Sequence, residues 1–231
     1  QDPELAQQML NPSLNTSEAQ HWVFNYLYSD ESRTFRAELY HKQYAKLLWS
    51  FPELHSGGEG YSRGFDLFWR DRQGVANLDY WISYSFVDSR RNWRDFKTQV
   101  QPSFAPRHNA SLVGKYWIGR LNSQLGGSFS LNDGYTYDNP NKEGEMESRT
   151  KAFNSLNLSW SYLPQPNLII HFEVTNVLGR ENVMGHQFSN LPNQQGQFAS
   201  RPIAQSAKRF VLLGIFYTLS ADKKANQLNN L

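Results

Sequence analysis

Residues 167–177 read "NLIIHFEVTNV", with Leu168, Ile170, Phe172 and Val174 on one side of an extended strand and Ile169, His171, Glu173 and Thr175 on the other. The run breaks at Asn176 and Gly179, residues suited to a turn. The same two-residue period recurs in segments of about ten residues along most of the chain. Nine strands are predicted, at about 20–29, 33–49, 60–71, 77–90, 108–119, 122–133, 150–163, 167–177 and 208–220. Phe65, Leu67 and Trp69 alternate with Gly64, Asp66, Phe68 and Arg70; Tyr80, Ile82, Tyr84 and Phe86 with Trp81, Ser83 and Ser85; Leu156, Leu158, Trp160 and Tyr162 with Asn157, Ser159 and Ser161. The first and last segments carry large apolar residues on both faces.

The links between segments predict how the strands connect. Short turns at 29–32, 71–77, 119–122 and 164–167 take turns with longer links at 51–59, 92–107, 134–149 and 178–207. An up-and-down antiparallel meander puts all short links at one end and all long ones at the other, the habit of outer-membrane barrels; Greek-key crossings in a soluble sandwich do not sort loops that way. Nine strands cannot close such a barrel, because the first and ninth run in the same direction. The expected fold is therefore all-β, an up-and-down antiparallel transmembrane β-barrel of which further strands lie elsewhere, in a longer chain or in neighbours. The expected division is a connecting segment at 1–19, barrel at 20–220 and a polar tail at 221–231.

Composition changes this picture little. The chain has 231 residues, 39% hydrophobic, yet 15% aromatic, with 7 Trp, 12 Tyr and 15 Phe, which argues against disorder. A formal net charge of +2 gives no field to attract nucleic acid. The absence of cysteine removes disulfides, thiolate metal sites and thiol nucleophiles. No segment has the roughly 20 apolar residues of a membrane-spanning helix, and "QDPELAQQML" lacks the basic and apolar regions of a signal peptide.

Several motifs could carry chemistry. "GYSRG" at 60–64 fits the Gly-x-Ser-x-Gly elbow with Ser62 as nucleophile, but that elbow needs a helix next and "FDLFWRD" follows, so strand entry accounts for it better. His171 and Glu173 share a strand face without a third ligand in sight, and no zinc, dinucleotide or P-loop pattern is present. No metal, cofactor or catalytic residue is expected. Arg36, Glu38, Tyr40, Lys42 and Tyr44 alternate along one face of the second strand, where pairing among charges is the default. The long links carry the candidate ligand-binding residues: Trp93, Arg94, Phe96 and Phe104; Tyr135, Tyr137 and Asp138; His186 and Phe188. Those close to strand ends, such as Trp93 and Tyr135, also suit an aromatic belt at a membrane interface.

The stretches "NPSLNTSEAQHWVF", "FRAELYHKQYAKLL", "GEGYSRGFDLFWRD", "WISYSFVDSRRNW", "APRHNASLVGKYWIG", "LNLSWSYLPQPN", "IIHFEVTNVLGRENVMGHQF" and "RFVLLGIFYTLS" occur in one order over residues 11–220. This ordered set resembles the TonB-dependent outer-membrane receptors, in particular the group carrying a carboxypeptidase-regulatory-like domain. The resemblance implies a barrel of about 22 strands with these as its last nine. It implies uptake of a siderophore, glycan or peptide across the outer membrane of a Gram-negative bacterium. Partners implied are outer-membrane lipid, the rest of the barrel and its plug, the TonB energy-coupling system through segments absent here, and a surface lipoprotein or other subunits. Phe65, Leu67, Trp69, Tyr80, Ile82, Tyr84, Leu156, Leu158, Trp160, Leu168, Ile170, Phe172 and Val174 are then expected to face lipid. "SADKKANQLNNL" departs from the pattern by continuing past a strand that usually ends at an aromatic. Two alternatives stand beside the transporter: a structural or secretion-complex barrel component, and a soluble carbohydrate-binding β-sandwich.

Overall fold

The computed structural model describes residues 14–50 and 53–219. The expected tail at 221–231 and most of the segment at 1–19 lie outside the described residues. Nine antiparallel strands form one sheet: β1 (Glu18–Ser29), β2 (Arg33–Trp49), β3 (His55–Asp71), β4 (Leu78–Arg91), β5 (His108–Ile118), β6 (Ser123–Asn132), β9 (Phe153–Gln165), β10 (Leu168–Thr175) and β13 (Phe210–Tyr217). They lie side by side in chain order. Two short hairpins stand outside the sheet, β7 (Thr136–Tyr137) with β8 (Ser148–Arg149), and β11 (Val183–Phe188) with β12 (Ser200–Ala204). Neither β1 nor β13 has a second neighbour among the described residues, and the sheet is open.

Local chemistry explains the tight ends. At the β1–β2 turn the Asp30 carboxylate accepts the backbone N–H of Ser32 and Arg33, each at 2.7 Å, and the Ser32 and Tyr28 hydroxyls, both at 2.9 Å. Those two backbone donors, then the hydroxyls, hold its pKa well below the usual carboxylate range. Asp71 does the same at the end of β3, accepting from Gln73 and Gly74; Asn77 closes that same turn with left-handed backbone (φ 63°), and Asn122 (φ 44°) does so between β5 and β6. The opposite end differs from expectation in the two hairpins that form inside the expected links 134–149 and 178–207, and at the start of β3. Strand β3 begins at His55, five residues before the predicted start, so the first of the four expected long links shrinks to residues 50–54. Gly58 and Gly60 lie there so close to the backbone of Asn92 and Arg90 that a Cβ would overlap it, so backbone pairing carries strand structure through a stretch with no side-chain pattern.

The registers assemble each face. One row runs Phe24–Leu39–Phe65–Phe86, another Leu112–Phe129–Leu156, and a third Leu125–Trp160–Phe172–Leu213. All thirteen residues expected to face lipid fall on this one apolar face. The other face carries Asn25–Glu38–Asp66–Ser85–Asn109–Asn132 and Arg36–Phe68–Ser83–Ser111–Ser130–Ser155. Its polar groups pair across strands: Ser83 with Ser111 at 2.7 Å, Asn157 with Ser128 at 3.0 Å, and Arg70 with Asp79 at 2.5 and 2.9 Å.

Among the described residues no second sheet packs on the apolar face. Val100, Leu163 and Ile169 are the buried hydrophobic side chains among the described residues, while Phe24, Leu39, Leu67, Ile82, Leu158, Trp160 and Ile215 stay exposed. A soluble domain of this length buries a core, and an apolar surface this continuous needs a partner. The sandwich alternative fails on this point: its defining feature is two sheets packed face to face.

Candidate functional site

At the long-link end, three loops lock together. The Glu145 carboxylate, in the β7–β8 loop, accepts the backbone N–H groups of Lys97 and Thr98 at 2.8 and 3.0 Å and the Thr98 hydroxyl at 3.2 Å. Burial works against its charge, but those N–H donors, the hydroxyl and the nearby Lys97 together leave its pKa below the ordinary value. Thr136 donates to the Gln101 carbonyl at 3.0 Å, and the Gln101 side-chain oxygen accepts from Arg149 at 3.0 Å. Asn141 exchanges two hydrogen bonds with the backbone of Phe198, its amide donating at 2.9 Å and its carbonyl accepting at 2.7 Å, which ties in the loop after β10.

Within this frame the predicted ligand-binding residues gather into two aromatic groups. In the first, the Arg91 guanidinium lies 4.5 Å from the Tyr44 ring centroid, 5.6 Å from that of Phe104 and 5.9 Å from that of Trp93. Trp93 and Phe104 meet edge to face at 6.1 Å, and Arg94 sits 4.5 Å over Trp93. Arg94 has left-handed backbone (φ 53°) fixed by reciprocal backbone bonds with Leu48 and Ser50. Phe96 contributes its carbonyl, which accepts from the Trp49 indole at 2.7 Å, rather than a ring contact. In the second group Tyr137 stacks with His186 at 4.8 Å and Phe188 at 6.3 Å, joining the two loop hairpins.

Tyr135 and Asp138 stand apart from both groups. The Tyr135 hydroxyl accepts from Asn132 at 3.0 Å, and Asp138 accepts the Met146 N–H at 3.3 Å. Sequence reasoning passed over Arg91 as a site residue and placed Tyr44 only among strand-face charges. The signal for Arg91 was its parity: it shares the Asp79–Trp81–Ser83 face and meets Tyr44 through the register of β2 and β3.

The remaining motifs resolve as structure. Ser62 is buried in the middle of β3, with no strand-to-helix elbow around it. His171 Nδ1 lies 2.8 Å from the Ser161 hydroxyl, and its Nε2 lies 3.7 Å from Glu173, beyond hydrogen-bonding distance. Among the described residues no three metal-ligating side chains come together.

A single up-and-down sheet, apolar on one whole face, polar and ladder-bonded on the other, with interlocked loops at one end, is wall of a membrane β-barrel. The particular kind follows from comparison. Residues 6–177 match the family "TonB dependent receptor-like, beta-barrel", and the chain belongs to it. Membership places it in the outer membrane of a Gram-negative bacterium. Among curated proteins none matches in sequence. In fold it is similar to the ferric yersiniabactin uptake receptor FyuA from Yersinia pestis, with a TM-score of 0.69 at 12% identity over 88% of this chain and 30% of that one. It is similar also to the ferric-catecholate import receptor Fiu from K12 E. coli, with a TM-score of 0.64 at 11% identity over 90% and 29%. A third likeness is to the FrpB iron transporter from Neisseria meningitidis, with a TM-score of 0.65 at 14% identity over 87% and 31%. The chain thus spans about three-tenths of the length of these receptors.

Proposed function

We propose that the chain forms barrel wall in a TonB-dependent transporter that takes a solute across the outer membrane. The carrying observation is the unbroken apolar face over nine strands, backed by a polar face with groups that pair across strands; strands that meet lipid must satisfy their backbone groups by interstrand bonds. The thirteen apolar residues then contact hydrocarbon, and the polar face lines the lumen. The open edges at β1 and β13 pair with strands of the same receptor, whose plug fills the lumen and passes energy from TonB. The solute docks among the loops, where Arg91 with Tyr44, Trp93 and Phe104, and Tyr137 with His186 and Phe188, offer rigid aromatic surface. The mouth arginines favour an anionic chelate, glycan or peptide over a neutral one. The role is transport, with no reaction catalysed.

The test is accumulation in cells carrying the complete receptor and supplied with labelled chelates, glycans and peptides. Energy-coupled import predicts accumulation of one class that stops when the proton gradient is dissipated and falls in Tyr137→Ala and His186→Ala. A flux indifferent to the gradient contradicts coupling and favours a passive or structural barrel.

A further inference from the structure

The cleft between the loops after β4 and β7 already holds an anion, and the anion belongs to the chain. The Lys97 N–H reaches both oxygens of the Glu145 carboxylate, at 3.0 and 2.8 Å, and the Thr98 N–H and hydroxyl reach one of them, at 3.0 and 3.2 Å. Two successive backbone N–H groups with a hydroxyl beside them make a concave cradle for an oxyanion. Glu145 is delivered to it on a bent loop. Its neighbours Gly144 and Met146 both have positive φ, 87° and 56°, and a residue with a side chain such as Met146 holds that conformation at a cost that release of Glu145 recovers. The cradle opens on a cleft of about 920 Å³, whose lining carries five cationic side chains, Arg90 and Arg107 among them, against three carboxylates, of which Glu145 is one. Arg149 is engaged by Asp133 and Gln101. The Arg107 Nε is different: shielded from solvent, it has no acceptor among the described residues. A shielded guanidinium N–H without an acceptor is costly, and an oxyanion in the cleft removes the cost. Once Glu145 leaves, two carboxylates face the five cations and the three cradle donors are left for an incoming oxyanion.

We propose that this cradle and cleft bind a carboxylate of the solute, and that Glu145 occupies the cradle in its place while the solute is absent, an inference that rests on the reading of the loops as the solute's docking place. The present occupant fixes the chemical class, since the cradle as folded grips a planar carboxylate. The solute's own acid, carried by a peptide or by a uronic glycan, enters beside Arg90 and Arg107 and displaces Glu145. The tip of the β7–β8 loop is then freed from the β4–β5 loop, while the bonds from Thr136 and Arg149 to Gln101 still hold its base. Glu145 is thus a latch that the cargo itself undoes.

The experiment measures binding of fluorescent tri-glutamate and trigalacturonate, with tri-glutamine and methyl-esterified trigalacturonate as neutral counterparts, to the complete receptor in detergent. The expected result is saturable binding of one or both acids and of neither neutral form. Glu145→Gln tightens acid binding about fivefold, because a site free about a fifth of the time binds about fivefold more weakly than one always free; Glu145→Ala tightens it by at least as much. Arg107→Gln and Arg90→Gln weaken it by about fivefold and about threefold, the scales of a shielded and an exposed charged contact. Glu181→Ala, which removes a carboxylate paired with Lys208 outside the cleft, leaves it unchanged. Hydrogen exchange gives a readout that a merely structural contact would not move: in Glu145→Ala the Lys97 and Thr98 amides lose protection and regain it when the acid binds. Absent or unimproved acid binding in both Glu145 variants, amides that stay unprotected with the acid bound, insensitivity to both arginine variants, or equal binding of the neutral forms overturns the proposal. Failure of the transport reading shows separately, as acid binding that persists in a receptor whose cells accumulate nothing.

Discussion

Replacing Leu158 by arginine, and separately Ser159 by arginine, places the same charge on opposite faces of β9. Leu158 pairs with Gly127 and Val174 in the apolar rows, and Ser159 with Gly126 and Glu173 in the polar ones. Leu158 stands four residues from Tyr162 at the short-turn end, about 14 Å along a strand. A tilt of about 40° turns that into roughly 10 Å of depth, near the middle of an apolar band about 25 Å tall. Arginine at that depth costs about 2–4 kcal/mol, which lowers the folded-to-unfolded ratio by a factor of roughly 30 to 900. On the other face the new guanidinium lies across from the Glu173 carboxylate, and its cost stays within about 1 kcal/mol. The assay is denaturant titration of the complete receptor refolded into phosphatidylcholine vesicles. Equal losses for the two variants, or a larger loss for Ser159→Arg, refutes the assignment of faces.

Other consequences concern the loops and close contacts. Glu145→Gln removes the charge from the bonds to Lys97 and Thr98, and these amides then exchange hydrogen about fivefold faster, for a discounted loss of about 1 kcal/mol. Because the folded pKa of Glu145 is depressed, that protection is complete above the ordinary value of 4.5 and fades as pH falls through the folded value; exchange rates mapped over acid pH check it. Gly64→Ala sets a methyl into the Phe86 carbonyl and within 2.7 Å of the Tyr40 hydroxyl, lowering stability by at least about 2 kcal/mol. Gly127→Ala, whose nearest neighbour is Leu158 at 3.5 Å, costs under about 0.5 kcal/mol in the same titration. Asn176, at φ 48°, donates to the carbonyls of Lys208 and Arg180 at 2.6 and 2.7 Å. Asn176→Ala loses both bonds and strains the turn for about 2–4 kcal/mol, whereas Asn176→Gly relieves the strain and costs about half as much.

The nine strands were legible because one side of each had to be apolar while the other was free to be small and polar, and a period of two survives any loop arrangement. The break at Asn176 and Gly179 was legible for a similar local reason, since both residues adopt positive φ. The start of β3 was not, because "HSGGEG" offers no apolar side chains to alternate and its strand geometry comes from backbone bonding to distant partners such as Asn92. The hairpin of β7 and β8 pairs only two residues a side, too short for any period to register. For the site, residue types pointed to Trp93, Phe104, Tyr137, His186 and Phe188, but their grouping depends on bonds such as Thr136 to Gln101 across 35 residues of chain. Arg91 enters its aromatic cage through strand register, which no local pattern encodes.

The most direct test of the central claim is nitroxide scanning along β9 in vesicles. The chain contains no cysteine of its own to label in error. Labels at Leu156, Leu158 and Trp160 should collide with dissolved oxygen and be shielded from a water-soluble nickel chelate, while labels at Asn157, Ser159 and Ser161 should show lower oxygen access. An apolar face in hydrocarbon predicts that two-residue alternation; equal oxygen access at all six positions, or chelate access at Leu158, contradicts it.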